Sequence, residues 1–161
     1  MDNSSVFISV LHDSLSRKVE IVKEIIELTK EQSRILSAQD MDSDRFDDII
    51  DEKGVRIDEM LEIDKGFNVT FERVRDILQN NKEEYRSQII EMQNFIRVIT
   101  DMSVEIEFLE QSNKTMFADF LHGKRKEIRK FNVNNKIAAS YNNNMPNQHQ
   151  DWQSYFLDKK K

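Results

Sequence analysis

The sequence predicts an all-α protein: an elongated antiparallel helical bundle of three long helices, with an overhanging third helix and a flexible C-terminal tail. Three observations carry that prediction. Only three Gly and one Pro occur in 161 residues, where average usage would give about 20. Sheet folds of this length need many tight turns, and tight turns lean on those two residues. Charged residues make up 34% of the chain and hydrophobic residues 38%, a balance suited to long amphipathic helices with solvated outer faces. The apolar residues also recur every three or four positions, the spacing of one helical face.

The first helix is expected from Val6 to Ala38. Its stripe is Val6, Leu11, Leu15, Val19, Val22, Ile25, Ile26, Ile35 and Leu36. The segment Gln39-Asp40-Met41-Asp42-Ser43-Asp44 then reads as a loop. Ser43 or an adjacent Asp is placed to accept from the free amides of a new helix. From Phe46 the apolar positions stay in phase to Leu78 across Gly54 and Gly66. A glycine inside a helix costs about 1 kcal/mol against alanine without ending it, so a single second helix is expected, bent at most at Gly66. Asn80-Asn81 marks the next turn.

The third helix carries three adjacent apolar lines. One is Tyr85, Met92, Ile99, Ile106, Asn113 and Phe120; beside it run Phe95, Met102, Leu109 and Met116, and then Ile89, Ile96 and Phe117. Three apolar positions in seven is the width of a bundle helix. The pattern continues through Leu121, Ile128 and Phe131. At 1.5 Å per residue the three helices would be roughly 50, 52 and 75 Å long. The third is thus expected to overrun its neighbours by about 20 Å, over Met116 to Phe131. Met116, Phe117, Phe120, Leu121, Ile128 and Phe131 are then candidate binding residues, because an exposed apolar stripe marks an interaction site. The competing expectation is that the tail folds over them or that the helix breaks at Gly123.

The expected domain organisation is a helical domain over residues 1–131 and an Asn-rich tail over 132–161. Seven Asn fall between Asn132 and Asn147, a composition that cannot build a packed core. The tail ends in the aromatic cluster Trp152 to Leu157, read as a docking peptide or a disordered end.

Several chemistries are disfavoured by composition. With no cysteine, disulfides, thiolate catalysis and zinc ribbons drop out. No segment has the roughly 18 apolar residues of a membrane span, and the start lacks the basic region of a secretory signal. A cytoplasmic protein is expected. The net charge of −6 argues against nucleic-acid binding, which needs a basic face. Asp40, Asp42 and Asp44 with Asp48 and Asp51 approach a calcium-loop spacing, but Arg45 stands where the turn glycine belongs. An acidic first turn favoured by the helix dipole is the better reading. His12, His122 and His149 are scattered, and no Glu-x-x-His, glycine-rich phosphate loop or Gly-x-Ser-x-Gly elbow occurs. No cofactor, metal or enzymatic activity is expected. Lys124, Arg125, Lys126, Arg129 and Lys130 complement the C-terminal end of a helix dipole. Asn113 either fixes register from a buried position or meets water where the third helix leaves the bundle.

The runs Tyr85-Arg-Ser-Gln-Ile-Ile-Glu-Met-Gln, Ile99-Thr-Asp-Met-Ser-Val-Glu-Ile and Leu109-Glu-Gln-Ser-Asn-Lys resemble FlgN-type flagellar export chaperones. The step Asp40 to Asp44, Glu52-Lys53 followed by Ile57, Met60 and Leu61, and Lys124-Arg-Lys-Glu-Ile-Arg followed by Tyr141 resemble the same family. The likeness spans about residues 10 to 145. It implies a cytosolic chaperone that holds a hook-associated subunit before type III secretion, through an amphipathic C-terminal helix that takes the helical C-terminal segment of the subunit. It also implies that Tyr141 docks on the export gate. FliT-type chaperones, which hold the filament cap, are similar in character, so the cap subunit is the second partner. A homodimeric coiled-coil scaffold with no chaperone role is the alternative from the stripes themselves, and a membrane-surface binder using Lys124 to Lys130 is a third reading.

Overall fold

In a computed structural model, residues 3–131 are described, with side chains up to Lys124. The tail expected over 132–161, Tyr141 included, lies outside the described residues. The fold is all-α, formed by α1 (Ser4–Ser37), α2 (Ser43–Asn80) and α3 (Arg86–Phe131). Each boundary falls within a few residues of the one its apolar periodicity predicts. Asp42 caps α2, its Oδ1 accepting from the Arg45 amide at 3.0 Å. Asn81 closes the other end, where its backbone and side-chain amides both donate to the Ile77 carbonyl, at 2.9 and 3.0 Å. Capping of this kind satisfies groups that the helix itself leaves open. Gly54, Gly66 and Gly123 all sit inside continuous helix, so Gly123 does not end α3.

The helices contribute to two compact units. Among the described residues, the first joins those up to Ile25 with Lys53–Ser103; the second joins Ile26–Glu52 with those from Val104 to Phe131.

In the first unit α2 runs antiparallel to α1. Glu24 pairs with Arg56, Arg17 with Glu59 at 2.8 Å and Lys18 with Asp64 at 2.8 Å. On the α3 side of α1, His12 Nε2 meets Glu91 at 2.5 Å, and its ring stands edge-on to Phe95 with centroids 5.2 Å apart. The core between them is built on Ile8, Leu11, Leu15, Val74, Leu78, Tyr85 and Met92. The Tyr85–Met92 line read from sequence is the buried line of α3 in this unit.

In the second unit α1 and α3 run parallel in constant register. Thr29 Oγ1 donates to Glu110 at 3.4 Å, Ser33 Oγ to Asn113 Oδ1 at 2.6 Å, and Ser37 Oγ lies 3.6 Å from the Met116 sulfur. Asn113 is fully buried and its Nδ2 donates to the Thr29 carbonyl at 3.2 Å. It therefore fixes register rather than marking a departure into water. Across this unit Arg45 of α2 grips Glu31 of α1 at 2.8 and 2.9 Å. That hydrogen bonding holds the Glu31 carboxyl below the usual range.

The overhang expectation needs correction here. Phe117 and Leu121 are buried with Phe46, and Phe120, Met41, Ile35, Leu36 and Ile50 pack around them. The Phe117 and Phe46 rings stack with centroids 5.6 Å apart. Met116 is half-buried against Ser37. The reason lies in the connection: α1 ends level with Met116, but Met41 of the loop and Phe46 of the first turns of α2 supply the cover beyond it. Helix lengths alone did not count that cover. The α3 backbone still continues ten residues past Leu121, to Phe131. The Ile128 and Phe131 side chains lie outside the described residues.

Candidate functional site: an apolar groove in the first unit

Exposed apolar side chains occur elsewhere on α3, with Phe108 and Val104 in the second unit and Ile90 and Ile96 in the first. Ile96 is 50% exposed and Ile90 46%, on the N-terminal half of the helix. They border an open groove of about 440 Å³ that lies between α2 and α3 and is floored by Leu11, Leu15 and Met92. The α2 wall presents Phe67, Phe71 and Leu78, and the α3 wall Ile89, Ile90 and Ile96. Phe67 and Phe71 are one helical turn apart and stack with centroids 6.1 Å apart. They form a continuous ridge because positions i and i+4 share a face.

α1 contacts both helices that wall the groove. Its α2 neighbour is held by the Arg17, Lys18 and Glu24 ion pairs and its α3 neighbour by the His12 contact. Leu11 and Leu15 of α1 line the groove between them. Ile89 leans on the core of the unit, while Ile90 and Ile96 stay about half exposed at the edge of the groove. The line Ile89–Ile96 is visible in the sequence, where α3 shows three apolar lines. The sequence does not say which of the three borders a groove.

The lips of the groove are polar and mostly basic: Arg75 and Lys82 from the α2 side, Arg86 at the start of α3, with Glu83 between. Arg75 reaches Glu72 at 3.4 Å and Arg86 reaches Glu83 at 4.0 Å, all four side chains being at least half exposed. Such pairs contribute little to stability and exchange partners readily.

The other sequence-singled positions assemble no chemistry. His12 and His122 stand in different units, and among the described residues no three His, Asp or Glu side chains converge in a way that could hold a metal ion. Asp42 is occupied as a helix cap. Asp47 has a carboxyl raised above its ordinary value, first by partial burial and then by Asp44, Asp51 and Asp48. Lys124 lies over the Phe120 ring, 5.7 Å from its centroid, a cation–π contact at the edge of the Phe117 cluster. Among the described residues no helix is long and apolar enough to cross a membrane.

The open apolar groove is thus a concave apolar feature of the described residues that suits a partner. Compared with protein-family models, curated proteins and solved structures, the chain matches none.

Proposed function

We propose that this protein binds an amphipathic helix of a protein partner and keeps its apolar face out of water. The observation that carries the reading is the groove walled by Phe67, Phe71, Leu78, Ile89 and Ile96, an apolar trough between two helices that suits helix-in-groove recognition. Burying apolar surface there contributes about 25 cal/mol per Å², and the net charge of −6 favours a soluble complex. The protein acts by binding, not catalysis, and needs no cofactor.

The resemblance to FlgN-type chaperones supports a specific form of this role. The bound helix would belong to a hook-associated or filament-cap subunit awaiting type III export in the cytoplasm, with Tyr141 as the contact to the export gate. The proposed helix-binding surface moves from Met116, Phe117, Phe120 and Leu121, which pack within the second unit, to the groove of the first. Ile128 and Phe131 remain candidates for a secondary contact.

Titration calorimetry of the full chain with a purified hook-associated or cap subunit tests the reading. Wild type binds, and Ile96→Asp weakens binding at least tenfold with the helical circular dichroism unchanged, since a half-exposed site tolerates polarity. Absence of binding by wild type refutes the flagellar form. A concentration-dependent rise from the 19.2 kDa monomer mass that Ile96→Asp abolishes would replace it with the homodimeric scaffold.

A further inference from the structure

Resting on the groove reading above, we infer that the groove selects a helix of three to four turns whose apolar stripe is edged by carboxylates. Dimensions set the length. The α2 wall runs from Phe67 to Gln79 and the α3 wall from Arg86 to Ile96, which at 1.5 Å per residue is roughly 18 and 15 Å. A helix of about 10–15 residues fills that trough.

Charge sets the flanks. Among the lining residues there are three bases, Arg75, Lys82 and Arg86, and one acid, Glu83, in a chain whose net charge is −6. The basic lip therefore runs against the charge of the whole molecule. Arg75 stands on α2, Lys82 in the turn that follows it and Arg86 at the first residue of α3, so the bases run from the α2 wall across the α2–α3 connection. A carboxylate on the edge of an incoming helix beside α2 meets Arg75, and carboxylates at its end nearest the α2–α3 turn meet Lys82 and Arg86. The bases are held only by exposed local pairs, Arg75 with Glu72 and Arg86 with Glu83, so the incoming carboxylates displace little. The trough is open rather than enclosed, which suits a helix better than a lone lipid chain, since a chain would stay wet on the open side. Complementary charge of this kind governs selection and association rate more than total affinity.

Two fluorescein-labelled synthetic peptides of about 15 residues, four turns of helix, test the inference by anisotropy against the full chain. Both carry leucines at helical spacing; one has glutamates along the edges of the stripe and the other lysines. The glutamate peptide is expected to bind about tenfold more tightly at low salt, with the difference shrinking in molar salt as screening shortens to roughly 3 Å. The combined variant Arg75→Glu, Lys82→Glu, Arg86→Glu, whose exposed sites leave the fold intact by circular dichroism, inverts the preference. Equal binding of the two peptides overturns the charge selection and leaves the groove reading standing. Absence of binding by either, or oleate binding where neither peptide does, overturns both.

Discussion

Replacing Phe117 with alanine separates a core role from a binding role. The side chain is 3% exposed, and its ring stacks on fully buried Phe46 with planes 6° from parallel. Truncating a buried phenylalanine costs about 3–5 kcal/mol through lost transfer energy and the cavity left behind. Roughly 0.5–1.5 kcal/mol of that belongs to the ring pair. A domain of this kind has about 5–15 kcal/mol in total, so the loss is a large fraction of it. With a urea slope near 2 kcal/mol per molar, the unfolding midpoint followed by circular dichroism falls by about 1.5–2.5 M. Phe46→Ala should fall similarly, and the double variant should lose less than the sum, because the second truncation finds the stack already gone. If Phe117 instead belonged to an open binding face, its alanine variant would stay within about 0.5 kcal/mol of wild type. A midpoint unchanged within error, with strict additivity in the double variant, would refute the core assignment.

Three further outcomes follow from the polar contacts. Asn113→Ala removes the buried hydrogen bond to the Thr29 carbonyl and the part-buried one from Ser33 and should lower stability by about 1–3 kcal/mol, read as a fall in Tm. Glu31→Gln should destabilise slightly at pH 7. The native carboxyl lies below its ordinary 4.5 because Arg45 donates to it, so its contribution is present above 4.5 and is lost as pH falls through the native value; the two proteins should converge in acid. Asp47→Asn has the opposite sign, since its carboxyl is raised above 3.8 by burial and neighbouring aspartates. The variant should be more stable at pH 7, by about 0.2–0.5 kcal/mol if like-charge helical neighbours set the scale. That gain should vanish once pH falls below 3.8, which paired urea titrations at pH 7 and pH 3 would check.

Periodicity made the helices legible because an amphipathic helix writes its buried face directly into its spacing. The α2 stripe, the Asp-rich cap and the Asn80-Asn81 turn lie where that spacing puts them, and so does the α1 stripe from Leu11 on; at its start Val6 is exposed, and Ile8 and Ile21, absent from the stripe, are buried instead. Asn113 was legible as a polar residue on a core line, and only the positions of Thr29 and Ser33 show that it is satisfied there. Lys53 was not legible as a buried residue: it is 1% exposed, and a lysine carries no sign of burial in its own sequence neighbourhood.

The sequence by itself determined that this chain is all-α, that it has three helices of about these lengths, and that α3 carries more apolar surface than one neighbour can cover. Which part of that surface stays open was decided by the tertiary structure. Phe117, Phe120 and Leu121 find cover from Met41 and Phe46, residues distant in sequence that α1 and its loop bring alongside. Ile89 and Ile96 instead line an open groove that Phe67 and Phe71 of α2 wall from the other side. The physical reason is general: helical spacing depends on residues three and four apart, whereas cover depends on contacts between residues some eighty apart, which no local pattern records.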